Sequence, residues 1–238
     1  MKSYLQDIVQ HTYNLDINLV MVTGTAKDTI IKGYNDTKTI ILNEAKFKTP
    51  LKEFEGTFGM PGLNKLNTIL NIPEYEKDAK ITITSKTDND ETIPTGIHFE
   101  NASGDFINDF RFMNQKVINE KLKSFVFNGV NWHVNFVPSV MAIQRLKFQA
   151  QANNDRTTFI AKTDKSGLKF YFGDLSTHAG DFVFEPSPNG NLTRFWEWPV
   201  AEIIKILNLS GDKTYRISND GASMITVDSG LIEYSYII

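Results

Sequence analysis

Two segments of the chain, 58–72 and 195–209, carry the same pattern of apolar and polar residues. Each places apolar side chains three or four positions apart, the spacing that gives a helix one hydrophobic face. The segments align at a constant offset of 137 residues (206 − 69), so that Ile69 falls under Ile206. Each predicted helix therefore needs a sheet to cover its apolar stripe. The predicted stripes are Leu63, Leu66, Ile69 and Leu70 in the first segment, and Val200, Ile203, Ile204 and Leu207 in the second.

Proline and the following strands extend this match. Pro61 and Pro199 are predicted in the first helical turn, where a missing N–H costs no hydrogen bond. After each helix, the residue pattern predicts the same order of strand, turn, strand and strand. The repeated order favours two similar halves. The segments that carry it are 80–85 and 96–113 in the first half, and 214–219 and 222–238 in the second.

Short apolar runs predict the remaining strands. They are bounded by Gly, Asn and Asp, which are typical of turns. A weakly amphipathic helix precedes them at 2–13, with Leu5, Ile8 and Val9 on its apolar side. The first half is therefore predicted to run helix, strands, helix, strands. The strands are predicted at 19–22, 29–32, 39–42, 53–58, 132–136, 157–161, 168–172 and 181–185.

One further helix is predicted at 138–155, beginning at its proline. No acidic residue occurs between Glu120 and Asp155, which makes this helix the most positive predicted element of the chain. Met141 and Phe148 interrupt its apolar stripe, and we expect them at a seam between units. The predicted stripe is Val140, Ile143, Leu146 and Ala150.

Composition narrows the class of protein. The 238 residues suffice for two domains of about 100–150 residues each. The absence of cysteine excludes disulfides and thiol nucleophiles and fits a reducing compartment. No apolar run approaches the roughly 20 residues of a membrane span, and Asp7 interrupts the start of the chain where a signal peptide needs an apolar core. We therefore expect a soluble protein of the cytoplasm, with no membrane partner.

The residue pattern favours no enzymatic chemistry. Histidines 11, 98, 133 and 178 are scattered, and the chain has no P-loop, dinucleotide fingerprint or nucleophile elbow. We expect no catalytic residue, no metal and no cofactor. The acidic group at 88–91 lacks the glycine and terminal glutamate of a calcium loop, and predicts a solvated hairpin tip. Phe195, Trp196 and Trp198 could stack on a base or sugar, but packing where a strand becomes a helix is the favoured interpretation.

A charged segment separates the two halves. Periodicity breaks over 114–131, where Lys116, Lys121 and Lys123 lie close together. A solvated linker is the favoured interpretation, and a basic rim that touches nucleic acid is the alternative. The net charge of −3 argues against a protein that holds nucleic acid by charge alone.

Over nearly its whole length the chain resembles the DNA polymerase sliding clamps, in particular those of T-even-like bacteriophages. The resemblance lies in FEGTFGMPGLNKLNTIL before KITI, and in FWEWPVAEIIKIL before GDKTYRISNDGASMITVDSGLIEYSYII. It implies an α+β chain with two similar domains of the DNA-clamp fold, each with two helices packed on antiparallel sheet. The implied domains are 1–113 and 132–238, joined by the linker 114–131.

The resemblance also implies a function and its partners. In that family three subunits close head to tail into a ring around duplex DNA, and an ATP-driven clamp loader opens the ring. The ring tethers the replicative DNA polymerase, and helices line its hole. The resemblance thus implies that the protein is a homotrimeric processivity factor, located in the host's cytoplasm if a phage encodes it. Asp7 and Glu202 lie on the same helices and reduce their charge. The implied DNA-facing residues are Lys2, Lys65, Arg145, Lys147 and Lys205.

Two other classes remain open at this stage. The first is a β-rich phage structural protein of the tail or baseplate, which would use the same halves only for assembly. The second is a single-stranded DNA binder, which would need a stronger basic groove with exposed aromatic residues. The apolar C-terminal run 232–238 either pairs with a neighbouring subunit, lies by a partner pocket, or forms an internal strand.

Overall fold

The two matching segments each form a helix of eight residues in the computed structural model of the chain. These helices, Leu63–Leu70 and Val200–Leu207, keep the offset of 137 positions (200 − 63) at both ends. The hydrophobic repeat is therefore also a structural repeat. The residues that the structure describes are 1–88, 91–122, 127, 129–173 and 178–238.

The chain divides into two units. Unit 1 comprises Met1–Val126 together with Ser229–Tyr234, and unit 2 comprises Phe127–Asp228 together with Ser235–Ile238. The boundary after Val126 falls inside the segment 114–131 that was predicted as a linker. The assignment of Ser229–Tyr234 to unit 1 has no counterpart in the predicted domain limits, which stay a prediction.

Unit 1 holds two antiparallel sheets. In chain order the elements of this unit are α1 (Lys2–Thr12), β1 (Leu19–Gly24), β2 (Thr29–Tyr34), β3 (Ile41–Phe47), β4 (Gly56–Pro61), α2 (Leu63–Leu70), β5 (Lys80–Asp88), β6 (Glu91–Glu100), β7 (Ile107–Arg111) and α3 (Gln115–Lys121). One sheet contains β3, β2, β1 and β4 in that order, and the other contains β5, β6 and β7.

Unit 2 repeats the plan of helix, strands, helix and three closing strands. In chain order its elements are β8 (Val134–Phe136), α4 (Val140–Ala152), β9 (Thr158–Asp164), β10 (Gly167–Phe172), β11 (Gly180–Glu185), β12 (Asn189–Gly190), β13 (Glu197–Pro199), α5 (Val200–Leu207), β14 (Asp212–Ile217), β15 (Ser223–Asp228) and β16 (Ile232–Ile237), whose residues divide between the units. Its first sheet orders the strands as β11, β10, β9 and β13, and its second places β12, β8, β14 and β15 side by side.

Helices α1 and α2 pack on each other, and all four predicted stripe residues of α2 are buried. The predicted position of Pro61 is wrong, because this residue ends β4 and the helix begins two residues later, after Gly62 in the left-handed conformation (φ 64°). Glycine has no capping side chain, and Asn18 supplies the cap instead. Its backbone oxygen accepts from Leu63 N at 3.2 Å, and its side-chain oxygen accepts from Asn64 N at 3.0 Å.

Helix α3 occupies the first part of the segment predicted as a linker. Asn114 caps it by accepting from Val117 N at 2.9 Å, and Ile118 is fully buried. Gly59 of β4 makes this packing possible, because a Cβ there would lie 2.7 Å from Ile118 Cδ1. Residues 123–126, which include Lys123, lie outside the described residues. So do residues 89 and 90 of the predicted acidic hairpin tip.

The apolar stripes of unit 2 differ from the predicted ones. In α5, Ile206 is buried and Ile204 is only half-buried, which rotates the buried stripe by about 40° around the helix axis, at 3.6 residues per turn. Pro199 precedes this helix as its N-cap and is not in its first turn. In α4 the difference is larger, because Val140 is 86% exposed. The buried side of α4 instead carries Ala142 and Leu146.

Aromatic side chains fill the core of each unit. In unit 1 the ring of Phe58 stacks on Phe112 at 4.4 Å and meets the edge of Phe54 at 5.6 Å. In unit 2 the Phe170 ring stacks on both Phe159 and Phe184, at 4.2 and 4.3 Å. Such pairs add to the free energy gained from the buried apolar area. In β10 the alternate residues Leu168, Phe170 and Phe172 are buried in this core.

The C-terminal strand is paired within both units. Leu231 O accepts from Lys48 N at 3.0 Å in unit 1, and Ile238 and Ser223 exchange two backbone hydrogen bonds of 3.0 and 3.1 Å in unit 2. Residues Ile232–Ile237 form a strand inside the sheet, which is one of the three alternatives for 232–238, and the alternative of a position by a partner pocket stays a prediction. Among the described residues, no helix combines the length and hydrophobicity needed to cross a membrane.

Asp7 joins α1 to the returning segment of unit 1. Its carboxylate accepts from the hydroxyls of Ser229 and Tyr234 at 2.8 and 2.9 Å. The ring of His11, fully buried one turn later, stacks on the Tyr234 ring at 4.4 Å. Its Nδ1 lies 2.9 Å from the backbone oxygen of Asp7, an acceptor only, so Nδ1 carries the proton.

We predict that Asp7→Ala lowers the free energy of unfolding by about 2–3 kcal/mol, because hydrogen bonds to a charged acceptor are among the stronger ones. Urea denaturation measures the change. Asp36→Ala, at an exposed turn position of the same unit, is the matched control and should change stability by less than about 0.5 kcal/mol. Equal effects of the two substitutions would contradict the role given to Asp7.

Strand β9 ends at Asp164, whose carboxyl group has a lowered pKa. The hydroxyl and backbone N–H of Ser166 donate to Asp164, and Lys169 Nζ lies 3.2 Å from it, which together lower the pKa of Asp164 to about 2. The stabilisation is present above the ordinary pKa of aspartate and is lost as the pH falls through about 2. Ser166→Ala should raise this pKa, as followed by an NMR titration. An unchanged titration midpoint would show that the serine is not its main cause.

Candidate nucleic-acid interface

The candidate interface consists of the solvent faces of one helix pair in each unit, α1 with α2 in unit 1 and α4 with α5 in unit 2, and the charge of these helices differs from that of the rest of the chain. Helices α1, α2, α4 and α5 together carry five Lys or Arg residues and two carboxylates, a net charge of +3. The chain as a whole carries −3, so the remainder carries −6. The helices are the cationic part of an acidic protein.

Burial sharpens this contrast. Within these four helices, all of which the structure describes, the exposed charged residues are Lys65, Arg145 and Lys205, and no carboxylate is exposed. Asp7 turns toward Ser229 and Tyr234, and Glu202 is half-buried. Asp7 and Glu202 therefore lower the positive charge of the solvent faces less than their number alone suggests.

The five predicted DNA-facing residues have different surroundings. Lys65 and Lys205 are exposed on α2 and α5, and Lys147 is half-buried on α4. Lys2 is half-buried, and its Nζ donates to the backbone oxygen of Tyr75 at 2.6 Å.

The head group of Arg145 also has contacts inside the protein. Its guanidinium lies 5.4 Å from the Phe182 ring centroid and donates to Val183 O at 3.4 Å. The structure brings the residues of each unit onto a helix pair, since α1 packs on α2 and α4 packs on α5.

Neutral polar side chains complete the solvent faces. Asn64 and Thr68 flank Lys65 on α2, and Gln144 and Gln151 are exposed on α4. Amides and hydroxyls can bind phosphate oxygens directly or through water without fixing the position of a duplex. The surface can therefore contact a nucleic-acid backbone weakly, but it has no arrangement that would read bases.

The sequence pattern did not reveal the outward face of α4. Met141 and Phe148 are 73% and 59% exposed, and Val140 lies beside them on the solvent side. The signal was present in the poor fit of these residues to the predicted stripe. What the pattern could not show is that Asn153, just after the helix, is buried and donates to the backbone oxygen of Gln149, which is half-buried.

The three aromatic residues before α5 divide between core and surface. Trp198 is buried, whereas Phe195 and Trp196 remain 53% and 43% exposed. Trp196 donates its indole N–H to Asn219 O at 2.8 Å and packs over Gly221. Lys162 Nζ lies 4.9 Å from the Phe195 ring centroid. Trp196 and Trp198 therefore pack against the protein, as the favoured interpretation expected, whereas the exposed Phe195 ring lies beside the Lys162 ammonium group.

The histidines have separate local contacts. His98 lies between Asp109 and Glu100 in unit 1, at 3.0 and 3.5 Å, and His133 of unit 2 accepts from Asn219 N at 3.1 Å. Within the described part of the chain, no three metal-ligating side chains form a group that could hold a metal ion. The solvent face of the helix pair in each unit is therefore the candidate functional surface.

Comparison with solved structures defines the class of fold. The chain has the DNA-clamp fold, with helices packed on antiparallel sheets along its whole length. Two similar structures are the complex of A. fulgidus PCNA with the C-terminal region of FEN-1 (TM-score 0.69, 11% identity, 100% of this chain and 94% of that chain covered) and PCNA from Thermococcus kodakaraensis (0.66, 12%, 100% and 96%). At these identities the likeness shows the fold alone.

Sequence comparison adds no closer relationship. A scan against protein-family models finds no match, and a search of the curated proteins finds no significant match. Both solved structures are archaeal, and neither supports the T-even-like phage origin that the sequence suggested.

Proposed function

We propose that the protein is a sliding clamp: a ring of identical subunits that encircles duplex DNA and tethers the replicative DNA polymerase. The observation that carries the proposal is the combination of a full-length DNA-clamp fold with four helices whose exposed charges are all positive. A protein of this kind performs no chemistry itself. Its effect is to keep another enzyme on its template.

The weak charge of the helices suits a ring that must move. A protein that neutralises six to ten phosphates loses about 10³–10⁵ in affinity between 50 and 200 mM salt, which shows how much of its binding lies in ion pairs. Each of those pairs would have to break at every step along DNA. Closure around the duplex supplies persistence without them. The helices then need only enough positive charge to offset repulsion from the acidic remainder.

Among the five predicted DNA-facing residues, Lys65 and Lys205 are the strongest candidates. Both are exposed on helices that repeat at the same offset, one in each unit. Lys147 is a third candidate on α4. We assign smaller contributions to Lys2 and Arg145, because their head groups already have acceptors within the protein.

Ring closure requires two different surfaces to meet head to tail. Unpaired strand edges are suited to this because their backbone groups need partners. Unit 1 offers β7, the outer strand of its sheet, beside the exposed side chains of Phe106 and Ile107. Unit 2 offers β11, the outer strand of another sheet. We propose that these edges join three subunits, and that a clamp loader opens one such joint.

The polymerase is proposed to bind through a short terminal peptide. The A. fulgidus PCNA structure holds the C-terminal region of FEN-1, so a partner's terminus is one form of contact that this fold accepts. The phage origin and the host cytoplasm are part of the proposal only through the sequence resemblance. A phage tail or baseplate protein would have no reason to keep carboxylates off the solvent faces of its helices.

We predict that the protein, once loaded, stays on closed circular DNA and leaves when the circle is cut. The physical reason is that a ring can slide off an end but cannot leave a circle without opening. Gel filtration of protein with nicked circular DNA, before and after linearisation, measures the retained fraction. Equal retention on the two forms would reject topological tethering and favour an assembly protein or a binder of single strands.

Reversing charge on the helices should weaken the clamp. We predict that Lys65→Glu with Lys205→Glu lowers processivity and shortens retention on circular DNA, while the free energy of unfolding changes by less than about 0.5 kcal/mol per site. The difference from the unmodified protein should narrow as salt rises, because the Debye length falls from about 10 Å at 0.1 M to about 3 Å at 1 M.

The matched control makes the same change of charge elsewhere. Lys77 and Lys165 are exposed turn residues, one in each unit, outside the four helices. Lys77→Glu with Lys165→Glu should leave processivity near that of the unmodified protein. If both double variants lose processivity equally, net charge and not the helix surface is responsible, and the proposed interface is wrong.

A further inference from the structure

Two side chains of α4 cover the open edge of β11. Arg145 Nη1 donates to Val183 O, and Gln149 Nε2 donates to Asp181 O, both at 3.4 Å. Residues two apart on a strand direct their carbonyl groups to the same side. Because β11 is the outermost strand of its sheet, with β10 on its other side, this is the side on which a further strand would add.

The covering contacts are few and long. A distance of 3.4 Å lies beyond the usual range for N–H···O hydrogen bonds. Arg145 is exposed, and its guanidinium is also held 5.4 Å from the centroid of the Phe182 ring. Two such contacts occupy the edge without sealing it, since a second strand could offer shorter bonds from backbone N–H groups.

Apolar side chains border the covered edge. Met141, Arg145 and Phe148 lie four and three positions apart, so they share one face of α4. Met141 and Phe148 are the exposed apolar members of that face, and α4 packs against β11. A surface that combines a strand edge with large exposed apolar groups is typical of a protein–protein contact.

We infer that Arg145 and Gln149 act as a displaceable cover on the β11 edge, and that an edge strand from a second copy of this chain displaces them when subunits join. The inference rests on the proposed ring and deepens it by naming what each subunit gives up on assembly. It also gives Arg145 a role in assembly, distinct from the DNA-facing role that the sequence suggested.

A second copy is the occupant that the chain itself can supply. Strand β7 is an outer strand of unit 1, and Phe106 and Ile107 beside it are 40% and 53% exposed. An apolar edge in unit 1 therefore matches an apolar edge in unit 2, and joining them head to tail would cover both. In a free subunit the cover also protects β11 from indiscriminate strand addition, which open edges invite.

Removing the cover should make self-association tighter. In the double variant Arg145→Ala, Gln149→Ala, no side chain has to leave the edge carbonyls before a strand adds. One net hydrogen bond corresponds to about a three- to tenfold change in an equilibrium constant, so the association constant should rise by about that factor. Sedimentation equilibrium of the full chain measures the association constant. The matched control is Gln144→Ala with Gln151→Ala, which shortens two exposed side chains of the same helix.

Hydrogen exchange locates the new contact. On association, amides of Gly180–Glu185 should become protected, because the outward N–H groups of β11 gain acceptors. Association that is tighter in the cover variant, unchanged in the control and accompanied by this protection supports the inference. An unmodified protein that associates equally or more tightly than the cover variant overturns the cover and leaves the ring intact. Protection confined to other strands also overturns the cover. A protein that stays monomeric with and without the cover overturns both.

Discussion

The burial of one apolar stripe on each of two repeated helices is the constraint on which the rest of this structure depends. Leu63, Leu66, Ile69 and Leu70 of α2 all lie inside unit 1, so the opposite side of that helix must face solvent. The same holds for α5 in unit 2, where Val200, Ile203, Ile206 and Leu207 are buried. Covering an apolar side chain contributes about 1.5–3 kcal/mol, far more than a surface ion pair, so hydrophobic burial decides which charges remain available to a partner.

The repeat was predictable because both of its signals are local. A helical period and a strand alternation need only neighbouring residues, and the offset of 137 positions holds for the helices themselves. The start of each helix was less predictable. Pro61 could end a strand or open a helix, and the side chain that decides this, Asn18, lies 46 positions before the residue it caps. The orientation of Asp7 depends on Ser229 and Tyr234, more than 220 positions away.

The candidate interface was predictable in its cations and not in its surroundings. The resemblance to sliding clamps implied Lys65 and Lys205 as cations of the two repeated helices, and both are exposed. Helical spacing did not predict the faces of α4, since its apolar residues lie on more than one side and only Ala142 and Leu146 are buried. The position of Gln149 depends on the backbone oxygen of Asp181 that accepts from it, and sequence spacing does not show where that acceptor is.

The proposed DNA binding is compatible with an acidic chain because the charge is unevenly distributed. A subunit with −3 overall presents +3 on its four helices and −6 elsewhere, so a ring that turns those helices inward would repel DNA outside and accept it inside. The same separation bears on assembly. The helix that carries Arg145 also borders the open strand edge, so in the proposed ring one element would contact both a nucleic-acid backbone and a neighbouring subunit. A mutation on α4 would then change the stability of the proposed ring and its DNA contact together. Lys65 and Lys205, on helices other than α4, are the better probes of the proposed DNA surface alone.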